Sequence, residues 1–144
     1  MRLREETDVK DTWALEDIFP SDQAWKEAVE AVRERLPEYG RYRGRLAESA
    51  ETLWECLKLD DELGEILEKI GCYASQKSDQ DTSVGLYQEM AGQAEDLYSQ
   101  AAEASSFIRV EITGMGEEKI RSFMEEWEPL KLYERIFFLI FRQK

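Results

Sequence analysis

The chain has 144 residues, one domain's worth, with a formal charge of −13, 35% charged and 42% hydrophobic residues. That balance fits a folded helical protein and excludes a disordered one. It also excludes phosphate-driven nucleic-acid binding and adhesion to anionic membranes, which need clustered Lys and Arg.

Residues 1–11 are charged and expected to be mobile, and M-R-L-R-E-E-T-D is too polar for a secretory signal. Residues 12–20, T-W-A-L-E-D-I-F-P, read as an anchoring turn: Trp13, Leu15, Ile18 and Phe19 pin the chain and Pro20 ends the turn. Ser21 caps a helix whose Trp25, Ala28, Val29, Val32 and Leu36 recur at spacings of three and four. Pro37 kinks that helix or restarts it as a short turn. Arg41, Arg43 and Arg45 form a basic island suited to a surface salt bridge or to docking a carboxylate.

Ser49 caps the next helix, expected over about Ala50 to Lys77. Lys58 to Asp61 can divide it, and Gly64 and Gly71 weaken it by roughly 1 kcal/mol each against Ala. Cys56 and Cys72 both fall on it. At ~1.5 Å rise per residue they lie about 24 Å apart, too far for a disulfide, so both read as reduced thiols in a cytoplasmic setting.

Tyr73 to Ser83, Y-A-S-Q-K-S-D-Q-D-T-S, is the corner between this helix and a second one, expected over about Val84 to Glu111. So short a corner makes the two helices antiparallel neighbours. Asp79, Asp81 and Ser83 imitate the start of a calcium loop, but Val84 and Met90 stand where that loop needs Gly and Glu. Gly114 or Gly116 then stops the helix. Glu117 to Trp127 reads as a short helix, and Pro129 opens a last one over Leu130 to Arg142.

That last helix is apolar nearly all round. Such a helix should be buried on every side. Tyr133, Phe137, Phe138, Ile140 and Phe141 are therefore the expected contact to a partner. The fold class expected is all-α: one helical domain over residues 1–144, five or six helices built on a long antiparallel hairpin.

Chemistry is scarce. With no histidine in the chain, Ser-His and Cys-His pairs, H-E-x-x-H and the Glu-x-x-His di-iron motif are all missing. Glu55 and Glu62, like Glu89 and Asp96, lie seven apart on a helix, but among 32 acidic residues such pairs describe a solvated face.

Four stretches taken in order carry a resemblance: T-W-A-L-E-D-I-F-P-S-D-Q-A-W, R-G-R-L-A-E-S-A-E-T-L, Y-A-S-Q-K-S-D-Q-D-T-S and the terminal Y-x-R-x-x-x-x-I-F-R-Q-K. Together they resemble the N-terminal domain of oligoendopeptidase F, a family of cytoplasmic zinc metallopeptidases that cut short peptides. The resemblance implies a chain from which the catalytic region, with its zinc ligands, is missing. It places no catalytic residue and no metal ligand on this sequence. It implies a non-catalytic helical domain forming one wall of a peptide cleft, with zinc in the full-length protein only. Tyr73, Lys77 and Asp81 at the corner become the expected peptide-facing residues, and the missing catalytic domain becomes the expected cover for the last helix. The alternative is a self-standing acidic interaction module that dimerises or binds a helix through that apolar segment.

Overall fold

The computed structural model describes residues 18–80 and 85–142, apart from the side chains of 78–80 and 86. Within them lie six α-helices: α1 (Asp22–Arg35), α2 (Ala50–Gln80), α3 (Gly85–Ser105), α4 (Phe107–Met115), α5 (Glu117–Glu126) and α6 (Glu134–Arg142). Two 3₁₀ segments, Leu36–Arg41 and Glu128–Tyr133, complete the list, and the described residues contain no strand. The fold is all-α. Residues 1–17, which hold the expected mobile terminus and most of the anchoring turn, and 81–84, which hold Asp81, lie outside the described residues.

The helix ends follow local chemistry. Ser21 Oγ accepts from the Ala24 N–H at 3.1 Å, and Ser49 Oγ from the Thr52 N–H at 3.1 Å, so each serine satisfies an amide that the first turn leaves open. Pro37 sits in the first turn of the 3₁₀ segment Leu36–Arg41, which restarts the chain after α1. Gly116, at φ +89°, ends α4 in a conformation that favours glycine.

Three boundaries differ from expectation. Lys58 to Asp61 does not divide α2, which runs unbroken from Ala50 to Gln80. Leu57, Leu59 and Leu63 are buried through this stretch, and Asp60 accepts a hydrogen bond from the Tyr39 hydroxyl at 2.7 Å. The second long helix stops at Ser105 instead of continuing to Glu111. Ser105 Oγ donates to the Ala102 carbonyl at 3.4 Å and Ser106 Oγ to the Glu103 carbonyl at 2.9 Å, the back-bonding that bends helices. Finally, residues 130–133 belong to a 3₁₀ segment, and α6 begins only at Glu134.

The chain forms two compact units. The first contains α1, the later part of α2 from Gly64 and α3 as far as Gln100. Its core joins Trp25, Val29 and Val32 of α1 to Leu67, Ile70 and Ala74 of α2 and Met90, Ala94 and Leu97 of α3. Trp25 is fully buried, and its indole N–H donates to the Ile70 carbonyl at 2.9 Å. Here α2 and α3 run antiparallel: Gly71 faces Tyr98, while Ala74 and Ser75 share a groove with Ala91, Ala94 and Glu95. A Cβ on Gly71 would fall 2.6 Å from the Tyr98 hydroxyl oxygen. Glycine therefore lets Tyr98 lie close and donate to the Leu67 carbonyl at 2.7 Å.

The second unit contains the 3₁₀ segment Leu36–Arg41, α2 up to Leu63, the end of α3 and helices α4 to α6. Leu46, Leu53, Cys56, Leu63, Ile112, Ile120 and Leu130 are fully or almost fully buried in it. No helix among the described residues is long and apolar enough to cross a membrane.

Candidate functional site

The corner and the last helix are the two places where chemistry was expected. At the corner, Tyr73 and Lys77 lie one turn apart near the end of α2 and converge on Asp22 in the first turn of α1. The Tyr73 hydroxyl donates to Asp22 Oδ1 at 2.6 Å, and Lys77 Nζ lies 3.5 Å from the same oxygen. Lys77 Nζ also stands 5.6 Å from the Tyr73 ring centre and 5.1 Å from that of Tyr87. Phe19 meets Tyr73 edge-on at 5.5 Å. Burial, then the Asp22 carboxylate, raises the Tyr73 hydroxyl well above the ordinary tyrosine range.

Tyr73 is 2% exposed and its hydroxyl is already engaged. It faces the inside of its own unit and offers a peptide no open polar group. Lys77 is half-buried, with its ammonium held between a carboxylate and two aromatic faces. A negative charge at the first turn of α1 suits the positive end of that helix, so the cluster ties two helix ends together.

On the last helix, Tyr133 and Phe137 are buried in their own unit, which removes them from the surface a partner could reach. Ile140 and Phe141 are half-buried. The open apolar residues are Leu132 (77% exposed), Ile136 (44%), Phe138 (56%) and Leu139 (45%). Of the five residues expected at a partner interface, Phe138 alone is open to solvent, with Leu132, Ile136 and Leu139 open beside it. Beside them a shallow groove of about 110 Å³ runs between α5 and α6, with Ile120, Met124 and Phe138 on its walls and Glu117, Arg121 and Glu134 at its rim. The Arg142 guanidinium lies 5.1 Å from the Phe138 ring centre.

The basic island meets a carboxylate in a way its sequence does not show. Glu111 of α4 accepts from the backbone N–H groups of Gly44 and Leu46, where Gly44 adopts φ +78°. The arginines turn elsewhere: Arg43 lies over the Phe107 ring, and Arg45 pairs with Glu48 and donates to the Arg41 carbonyl.

The remaining reactive groups are buried or solvated. Burial pushes the Cys56 thiol up to about 12, with Asp60 and Glu111 adding to it, so it stays protonated and inert near neutral pH. Burial also raises Asp60 above the ordinary carboxylate range, against the hydrogen bond from Tyr39. Asp96 accepts from Gln100 and Glu62 from Arg35, each partly or fully in solvent. Among the described residues no group of three or more Cys, Asp or Glu could hold a metal ion.

The described residues thus form an all-α fold with closed polar clusters and one open apolar face. No protein-family model matches the chain. It is 45% identical over 130 residues to oligopeptidase PepF of Bacillus subtilis, which covers 90% of this chain and 19% of that protein. It is 33% identical over 141 residues to group B oligopeptidase PepB of Streptococcus agalactiae, covering 98% of this chain and 24% of the relative. The crystal structure of oligoendopeptidase-F from Enterococcus faecium superposes with a TM-score of 0.78 at 27% identity, over 85% of this chain and 24% of that one. The chain belongs to the oligoendopeptidase F family and corresponds to a fragment of its members, spanning about a fifth to a quarter of the length of these relatives.

Proposed function

We propose that this chain is the non-catalytic N-terminal domain of an oligoendopeptidase F-like zinc metallopeptidase of the cytoplasm. It folds as one helical domain and forms a wall of the cleft that admits short peptides. The observation that carries this reading is the disproportion of the match: 90–98% of this chain against 19–24% of the relatives, in a chain without histidine. Zinc, the activated water and the glutamate base belong to the remainder of the full-length protein. At the corner, Tyr73, Lys77 and Asp81 are the residues proposed to meet peptide, Tyr73 by holding Asp22 against Lys77 and Lys77 by exchanging Asp22 for a peptide carboxylate.

The test uses the full-length polypeptide and a quenched oligopeptide. Cleavage is expected, and a chelator should abolish it. Lys77→Ala should raise KM by about tenfold with kcat unchanged, the loss of one charge-assisted contact worth ~1.4 kcal/mol. Cleavage that survives exhaustive chelation would overturn the enzymatic assignment. A loss of kcat at unaltered KM would remove Lys77 from the cleft wall. The open apolar face on α6 favours one second reading, a self-standing interaction module, and a stable homodimer of the 144-residue chain in light scattering would select it.

A further inference from the structure

We propose that the exposed stripe Leu132, Ile136 and Leu139, flanked by Phe138, is the seat of an apolar helix from the rest of the same full-length polypeptide. The inference rests on the preceding reading and names the surface by which this domain is joined to the remainder.

Three observations carry it. Ile136 and Leu139 lie three apart on one face of α6, the spacing by which one helix receives another, and Leu132 stands in the 3₁₀ segment just before it. All three are open to solvent, although Tyr133 and Phe137 between them are buried, so the segment is apolar on two sides and covered on one. An open stripe of large apolar side chains in an otherwise charged chain marks an interaction surface.

The choice of occupant follows from size and charge. The relatives carry roughly four-fifths of their length outside the matched part, as the 19–24% coverage records, so a covalently linked neighbour is at hand at high effective concentration. A second copy is disfavoured: each chain carries −13, while residues 128–142 hold three cations (Lys131, Arg135, Arg142) against two carboxylates (Glu128, Glu134). Two copies meeting at this stripe would oppose like charge at the seam and like charge overall. A neighbour with acidic residues flanking an apolar helix face would be complementary in both respects.

Side-chain oxidation footprinting on the full-length polypeptide, compared with the 144-residue chain, tests this. Ile136 and Leu139 should oxidise about tenfold more slowly in the full-length polypeptide, as expected when a residue 44–45% exposed becomes almost wholly buried. Val110 on α4, 71% exposed, serves as an internal comparison and should keep its rate. Equal oxidation of Ile136 and Leu139 in both samples would overturn the proposal, even if the full-length polypeptide cleaves peptides. Slow oxidation in the 144-residue chain that speeds up on dilution would overturn it in favour of a second copy. Protection in a full-length polypeptide that cleaves no peptide would uphold the surface while refuting the enzymatic reading.

Discussion

The corner of the first unit and the last helix of the second treat their surfaces in opposite ways. At the corner the exposed-looking polar residues are engaged: Tyr73 and Lys77 share Asp22, and aromatic rings enclose the lysine. At α6 and the 3₁₀ turn before it the apolar residues that ought to be enclosed are open, with Leu132, Ile136, Phe138 and Leu139 in solvent. A buried hydroxyl must find a partner within its own fold, because an unmade hydrogen bond costs about 1–3 kcal/mol. An exposed leucine costs a folded chain little until a neighbour arrives. The polar cluster therefore reports on stability, and the apolar stripe is the place to test the proposed assembly.

Substitutions should separate the two. The largest effect belongs to the core behind the corner: Trp25→Ala removes a fully buried indole and its bond to Ile70. It should lower unfolding free energy by about 3–5 kcal/mol, read from denaturant midpoints. Tyr73→Phe, which leaves Asp22 with Lys77 alone, should cost about 1.5–3 kcal/mol as a hydrogen bond to a charged group. Comparable stability of Tyr73→Phe and wild type would break the structural account of the corner.

The same hydroxyl should show itself through pH. Tyr73 and Tyr39 hold their protons more tightly in the folded chain than their ordinary value of 10.0. Above that pH the unfolded chain releases protons that the folded chain keeps, so stability should fall as pH rises past 10. Tyr73→Phe should flatten that slope in denaturant titrations across the alkaline range.

Two glycines in α2 give a finer comparison. A Cβ on Gly64 meets nothing within 4 Å, whereas one on Gly71 runs into Tyr98. Gly64→Ala should stabilise the chain by roughly 0.5–1 kcal/mol through helix propensity. Gly71→Ala should forfeit that gain by displacing Tyr98 from Leu67, and equal thermal shifts for the two variants would contradict the close approach. The smallest effect belongs to the stripe: Ile136→Ser in the 144-residue chain should change stability by no more than about 0.5 kcal/mol.

Much of this was legible in the sequence because it is local. Ser21 and Ser49 cap where a serine before an apolar period should cap, and Gly116 stops α4 where a glycine was needed. The order of short motifs over the chain was enough to reach the family. The bend at Ser105 and Ser106 left its mark in the sequence as two adjacent hydroxyls, yet helical periodicity carries through it and hides the break. The grip of Glu111 on Gly44 and Leu46 joins residues far apart in sequence, and no local pattern encodes it. The inward turn of Tyr133 and Phe137 escaped because a segment apolar nearly all round carries no periodicity to say which side its own unit covers.

The central claim is that this segment lends shape to a peptidase and none of its chemistry. It is tested most directly by incubating the 144-residue chain with zinc and a quenched oligopeptide. No turnover and no zinc retained after gel filtration are the expected results. Chelator-sensitive cleavage by this chain alone would contradict the claim.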